Sequence, residues 1–199
     1  MYNWAYIQDA TLAKLDMDEY DDQAEVVTTN LINRFKTYAN EAISQICSAV
    51  KPQRKYYTCT ISEDLVNIPI TITDPLFISF SDDNSKYAGN VYGLEYVMHC
   101  NDELLEYEGY NTFVCKQVGT YKIAYNAKWC DFTNIEEDEM INAPDDVVHC
   151  IPSYIASQCY KVDDEAKASV FRNEYEMFLA RIDDTDFKNT HDIIIGGDW

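Results

Sequence analysis

Two adjacent histidine–cysteine pairs are the residues of this chain best suited to chemistry, because imidazole and thiolate are the usual ligands of zinc. The pairs are His99-Cys100 and His149-Cys150, and none of the seven cysteines forms a Cys-x-x-Cys motif. A zinc module needs a second pair at short spacing, and neighbouring residues of a strand point to opposite faces. We therefore predict no metal site and no cofactor. The N-terminus does not resemble a signal peptide, so reduced thiols in a cytoplasm are expected.

A catalytic site is not predicted either. Glu106 and Glu108 could share one face of a strand and imitate the paired carboxylates of a glycosidase. With 35 acidic residues in 199, such a pair is expected by coincidence. The six glycines are scattered and form no phosphate-binding loop, and the Gly-x-Ser-x-Gly and His-Glu-x-x-His motifs are absent. We therefore predict that the protein is not an enzyme.

The formal net charge of −20 limits the partners of the chain. Binding to phosphates requires clustered Lys and Arg side chains, and the one cluster here, Lys51, Arg54 and Lys55, is too small for a groove binder. The charge therefore argues against nucleic-acid and anionic-membrane binding, and no segment is apolar enough to span a membrane. Two interpretations remain: a solvated, soluble surface, or a surface past which DNA slides without sticking.

The N-terminal part of the chain has the periodicity of helices. A first helix is predicted over about residues 4–16, with Trp4, Ile7 and Leu15 facing inward. A longer helix is predicted over about residues 23–50, because its apolar residues recur every three or four positions. Residues 1–54 are therefore assigned to a helical bundle.

Residues 55–132 instead alternate aromatic and β-branched residues in short runs separated by Gly, Asn and Asp. This pattern predicts an inserted antiparallel β-sandwich or barrel, in which Pro69 marks an edge strand or a bulge. An acidic linker follows at 133–143. The predicted fold class is α+β, a helical bundle with an inserted β domain.

Residues 144–183 complete the bundle as two short amphipathic helices that meet at an acidic turn. Pro152 either begins the first of these helices or kinks it. Seven apolar residues are predicted to pack between helices: Leu31, Phe35, Ile46, Ile155, Phe171, Tyr175 and Phe178.

This hairpin also carries a family resemblance. Its Tyr154-Ile-Ala-Ser157 stretch, acidic turn, Asn173-Glu-Tyr-Glu176 run and Leu179-Ala-Arg181 ending resemble the C-terminal end of head-to-tail adaptor proteins of tailed bacteriophages. The strand Gly119–Tyr125 looks like the closing strand of the β insertion in many of these adaptors. Nearly the whole chain follows the order of elements in that family.

The resemblance implies a structural virion protein of the phage neck, made in the bacterial host cytoplasm. Such proteins form a homo-oligomeric ring, usually twelve-fold, that joins the portal protein to the next neck or tail protein. Genomic DNA passes through the lumen of such a ring without specific binding. An acidic surface is suited to this role because it repels phosphate. The competing interpretation is a free-standing binding module, whose β-sandwich recognises a host carbohydrate or protein through some of its 16 tyrosines.

The final stretch, residues 184–199, is predicted to be an extended C-terminal arm. It is polar up to Asp192 and then contains the apolar residues Ile193, Ile194, Ile195 and Trp199. Large apolar side chains need a place of burial. Either they return to the chain's own sheet as an additional strand, or they dock on the portal or a neighbouring subunit.

Overall fold

Helices from both ends of the chain form one unit, and the strands between them form another. The computed structural model describes residues 2–15, 25–91, 94–161 and 163–186, with side chains described at 2–15, 31–86, 98–161 and 163–182. The fold is α+β, with antiparallel sheets inserted between the second and third helices. None of the described helices is long and apolar enough to cross a membrane.

The helical unit comprises the described parts of Met1–Lys51 and Trp129–Trp199. Its helices are α1 (Trp4–Lys14), α2 (Glu25–Ala49), α3 (Asp145–Tyr160) and α4 (Glu165–Asp186). The α3 helix is at the centre, because α1, α2 and α4 all pack against it. Ten of its sixteen residues are buried.

The α3 helix begins at Asp145 and continues through Pro152. Its start is therefore seven residues before the proline, and one of the two sequence-based alternatives, a helix that begins at Pro152, is wrong. The first turn carries Asp145 and Asp146, whose negative charges are favourable at a helix N-terminus. The α4 helix extends to Asp186, so the first residues of the predicted arm continue that helix.

The segment 133–143, predicted as an acidic linker, is an integral part of the helical unit. Ile135 and Ile141 are buried, and the side-chain amine of Lys36 donates a 2.7 Å hydrogen bond to the carbonyl of Ile135. Two backbone carbonyls of the acidic run accept hydrogen bonds from the first amides of α1, Trp4 and Ala5, at 3.2 and 3.0 Å. The acidic run therefore caps α1, where its negative charge is favourable.

The β unit spans Pro52–Lys128. Its strands are β1 (Gln53–Ile61), β2 (Pro69–Thr71), β3 (Phe77–Phe80), β4 (Ser85–Val91), β5 (Leu94–His99), β6 (Leu105–Tyr107), β7 (Thr112–Cys115) and β8 (Gly119–Ala127). One sheet has the order β1-β8-β4-β5, with β3 also paired to β8, and the other has the order β2-β7-β6. All described strand pairs are antiparallel.

The core of the β unit contains residues from both sheets. Tyr121 and Ile123 of β8 are completely buried, as is Phe113 of β7, in one apolar cluster. Pro69 begins β2 at an edge of the smaller sheet, where its missing N–H is tolerated, as the sequence predicted. The polar core residue Asn84 is 2% exposed and accepts a 2.6 Å hydrogen bond from the amide of Ala124.

Candidate functional site

A groove lies between α1 and α4 and has α3 as its floor. It has a volume of about 560 Å³. The α1 wall presents one face of the helix, because its residues are spaced by four. The residues that line the groove are Tyr6, Ala10 and Lys14 of α1, Asp146, His149 and Pro152 of α3, and Phe178, Arg181 and Ile182 of α4.

A salt bridge closes one end of the groove. The Lys14 amine lies 2.9 Å from both carboxylate oxygens of Glu174, which joins α1 directly to α4. The same amine lies 5.5 Å from the ring centroid of Phe171, a cation–π contact. Both charged side chains are partly exposed, so the pair adds little stability but fixes the separation of the two helices at this end.

The opposite end of the groove carries a cluster of two tyrosines and a histidine. The Tyr2 hydroxyl lies 3.0 Å from Nε2 of His149, and the Tyr6 hydroxyl lies 2.9 Å from Nδ1. A neutral imidazole donates through one nitrogen and accepts through the other, so the two hydroxyls have opposite roles. Burial, and next the neighbouring Tyr2, raise the pKa of Tyr6 above its usual value, so its hydroxyl keeps its proton.

This cluster lacks the features of a catalytic site. Both nitrogens of His149 are occupied by tyrosine hydroxyls, which are poor nucleophiles when protonated. The adjacent thiol of Cys150 points elsewhere and donates a 3.1 Å hydrogen bond to the carbonyl of Asp146. Burial, and next the charge of Asp146, raise the pKa of Cys150 to about 12, which keeps it in the thiol form.

The other residues considered for chemistry are also separated. His99 is exposed, whereas Cys100 is half-buried and burial raises its pKa to about 11. Glu106 and Glu108 are both exposed, and Glu106 pairs with the amine of Lys116 at 2.7 Å. Within the described part of the chain, no three His, Cys, Asp or Glu side chains come together as metal ligands.

The seven predicted packing residues divide into two groups. Fully buried are Phe35, Ile46, Ile155 and Tyr175; half-buried are Leu31, Phe171 and Phe178.

Tyr175 joins three helices. Its ring centroid lies 5.0 Å from that of Tyr154 on α3, and its hydroxyl donates a 3.5 Å hydrogen bond to the carbonyl of Ala42 on α2. Burial, as the largest cause, raises the pKa of Tyr175. Phe178 instead lines the groove, so it is available to a ligand as well as to its neighbouring helices.

Sequence reasoning missed the groove itself. The spacing of Tyr6, Ala10 and Lys14 by four is a detectable signal, but a mixed apolar and polar face is typical of any surface helix. The four predicted docking residues, Ile193, Ile194, Ile195 and Trp199, lie outside the described residues.

No protein-family model matches this chain, and no curated protein is detectably similar to it.

Proposed function

We propose that this protein is a structural subunit of the adaptor ring that joins the portal to the tail in a bacteriophage neck. The observation that carries the proposal is the central position of α3. This helix contains the Tyr154-Ile-Ala-Ser157 part of the resemblance, and it is the element on which helices from both ends of the chain pack. The β unit is inserted between α2 and α3, which supports the order of elements expected of an adaptor.

The charges of the surface support a role as a wall for DNA. Six cationic side chains are already paired with acids: Lys14 with Glu174, Lys51 with Asp146, Arg54 with Asp83, Lys55 with Asp74, Lys116 with Glu106, and Arg172 with Glu176. The chain has 15 Lys and Arg side chains against 35 acids, and the four acids Glu136, Glu137, Asp138 and Glu139 are all exposed. A lumen lined in this way repels phosphate over about one Debye length, roughly 8 Å at physiological salt.

The remaining roles follow from the same proposal. The subunits form a homo-oligomeric ring, about twelve-fold, that contacts the portal on one side and the next neck or tail protein on the other. Residues Ile193, Ile194, Ile195 and Trp199 provide an apolar anchor on the portal or on a neighbouring subunit in the assembled neck. The protein then resides in the virion after synthesis in the host cytoplasm, and it needs no catalytic group, cofactor or metal.

The alternative, a β-sandwich that binds a host carbohydrate or protein, draws support from exposed tyrosines of the β unit. Tyr56 is 51% and Tyr110 is 69% exposed. Both also have internal roles, which weakens that support. Tyr110 donates a 2.8 Å hydrogen bond to the carbonyl of Phe77, and the amine of Lys122 lies 4.0 Å from the ring centroid of Tyr56.

The composition of purified phage particles tests the proposal. Quantitative mass spectrometry should find this protein at a fixed ratio to the portal protein, and electron microscopy should place it in a ring beneath the portal. A chain truncated after Asp186 should fold but fail to enter stable particles. Absence from particles, or a location on tail fibres instead of the neck, would exclude an adaptor and favour the binding module. Stoichiometric zinc in the purified protein would contradict the absence of a metal.

A further inference from the structure

The groove is lined mainly by apolar surface between the Lys14–Glu174 bridge at one end and the cluster of Tyr2, Tyr6 and His149 at the other. Ala10, Pro152, Phe178 and Ile182 supply aliphatic and aromatic atoms at its walls and floor. Within the described part of the chain, no side chain fills it. A mainly apolar groove of this volume is typical of a site that binds an apolar ligand.

The α4 helix leads towards the end of the groove that carries the His149 cluster. The α3 and α4 helices form an antiparallel hairpin, so α4 runs along the groove from Glu174 at the bridge end to Ile182 at the His149 end. The described part of the helix ends at Asp186, four residues and about 6 Å beyond Ile182.

The following segment has the right order of residues to enter the groove. The polar stretch 187–192 is six residues long and can span up to about 20 Å, enough to reverse direction. The apolar run Ile193–Ile195 and then Trp199 follow. From Ile182 back to Glu174, eight helical residues make the groove about 12 Å long, which accommodates about four extended residues.

The charges are complementary as well. Arg181 lies at the groove, its guanidinium is 6.0 Å from the ring centroid of Phe178, and no described carboxylate pairs with it. Asp192 and Asp198 flank the apolar run of the segment. Asp146, the acid that lines the groove, is neutralised by a 2.9 Å salt bridge to Lys51. Arg181 is therefore suited to pair with an acidic residue that flanks an apolar peptide in the groove.

We propose that the groove between α1, α3 and α4 binds the apolar run Ile193–Ile195 of the same chain. A short tether gives its end an effective concentration in the millimolar range, far above that of a second copy in dilute solution. This inference does not depend on the adaptor function. In an adaptor, the same segment leaves its groove before it anchors to another molecule, so the groove holds the free subunit in a form with its apolar segment covered.

Photo-crosslinking in the full-length protein tests the inference. A benzophenone amino acid in place of Ile194 should form crosslinks to the groove walls, and mass spectrometry should map them to peptides that contain Ala10 or Phe178. The crosslinked product should have the mass of a single chain. Ala10→Glu places a carboxylate in the apolar groove and should lower the yield about tenfold or more, because an apolar segment bound beside it would remove that carboxylate from water. Ala13→Glu, the same change at an exposed position of the same helix, should leave the yield unchanged.

Each alternative gives a distinct result. Crosslinks to peptides of Pro52–Lys128 would place the segment on the sheet, and a product with the mass of two chains would place it on a second copy. Either result would overturn the inference, as would equal yields for Ala10→Glu and Ala13→Glu. Circular dichroism verifies that the variants fold. Arg181→Glu, at an exposed position, provides a second variant and should also lower the yield, because it reverses the charge that faces Asp192 and Asp198.

Discussion

The side chain of Asn40 gives a direct test of whether the segment after β8 belongs to the helical unit. Its amide oxygen accepts a 2.9 Å hydrogen bond from the amide of Phe132, and its amide nitrogen donates to Asp131 and Thr133, both at 3.1 Å. Phe132 is fully buried, and its ring centroid lies 5.3 Å from that of Trp4. Asn40 thus holds this segment against α2.

Replacement of Asn40 by Ala should lower the free energy of unfolding by roughly 1–3 kcal/mol, because it leaves the partly buried Phe132 amide without an acceptor. The substitution also raises helix propensity, by at most about 0.7 kcal/mol. Asn33→Ala is the matched control, since Asn33 is an exposed residue of the same helix and gains the same propensity. The difference between the two variants isolates the hydrogen bonds.

Urea denaturation followed by circular dichroism at 222 nm measures this difference, because all four α-helices of the described residues lie in the helical unit. The midpoint of Asn40→Ala should be lower than that of Asn33→Ala, with an unchanged dependence on urea concentration. Equal midpoints would refute the reasoning. They would mean that these hydrogen bonds do not hold residues 131–133 against α2.

Three further predictions concern the β unit. Burial, the largest cause, would raise the pKa of Asp74, but hydrogen bonds, first that from Lys55, hold it below its usual value. The resulting stabilisation is present at neutral pH and is lost as pH falls below about 4 and through the lowered pKa, so Asp74→Asn should lower the unfolding midpoint more at pH 7 than at pH 3. A hydrogen bond from the Cys115 thiol, opposed by burial, lowers the pKa of Cys59, so Cys59 should be the first cysteine that iodoacetamide alkylates in the native protein. Mass spectrometry can determine the order of alkylation, and equal alkylation rates for all seven cysteines would contradict this prediction. Replacement of residues 52–128 by a short Gly/Ser linker should leave a cooperative helical fold in circular dichroism, and an unfolded chain would refute the division into two units.

The linker prediction has a specific structural basis. The indole nitrogen of Trp129 donates a 2.8 Å hydrogen bond to the carbonyl of Lys51. The chain therefore leaves and re-enters the helical unit at adjacent points. A short loop can close this gap, because the entropy of loop closure grows only slowly with length.

The sequence by itself determined the features that depend on local periodicity. The repeat of apolar residues every three or four positions located α2 and α4 to within a few residues, and alternation located the β region, because each pattern reflects which side of a single element faces the core. The same repeat predicted α3 but left its start open between the region of Asp145 and Pro152. The prediction for α1 was less complete. Trp4 and Ile7 are buried as expected, but Leu15 is only half-buried, and Thr11 is buried instead because its hydroxyl donates a 2.7 Å hydrogen bond to the carbonyl of Ile7.

Only the tertiary structure decided how distant segments meet. The acidic segment 133–143 was predicted to be a linker because charged side chains favour solvent. Instead, Ile135 and Ile141 are buried, and two of its backbone carbonyls accept hydrogen bonds from α1, more than 120 residues earlier in the chain. The groove is likewise a gap between helices that have no shared local pattern. His149 lies at the polar end of the groove, where it contacts the hydroxyls of Tyr2 and Tyr6, which are 147 and 143 residues away in the sequence. Such contacts depend on packing among whole elements, so no spacing within one segment reveals them.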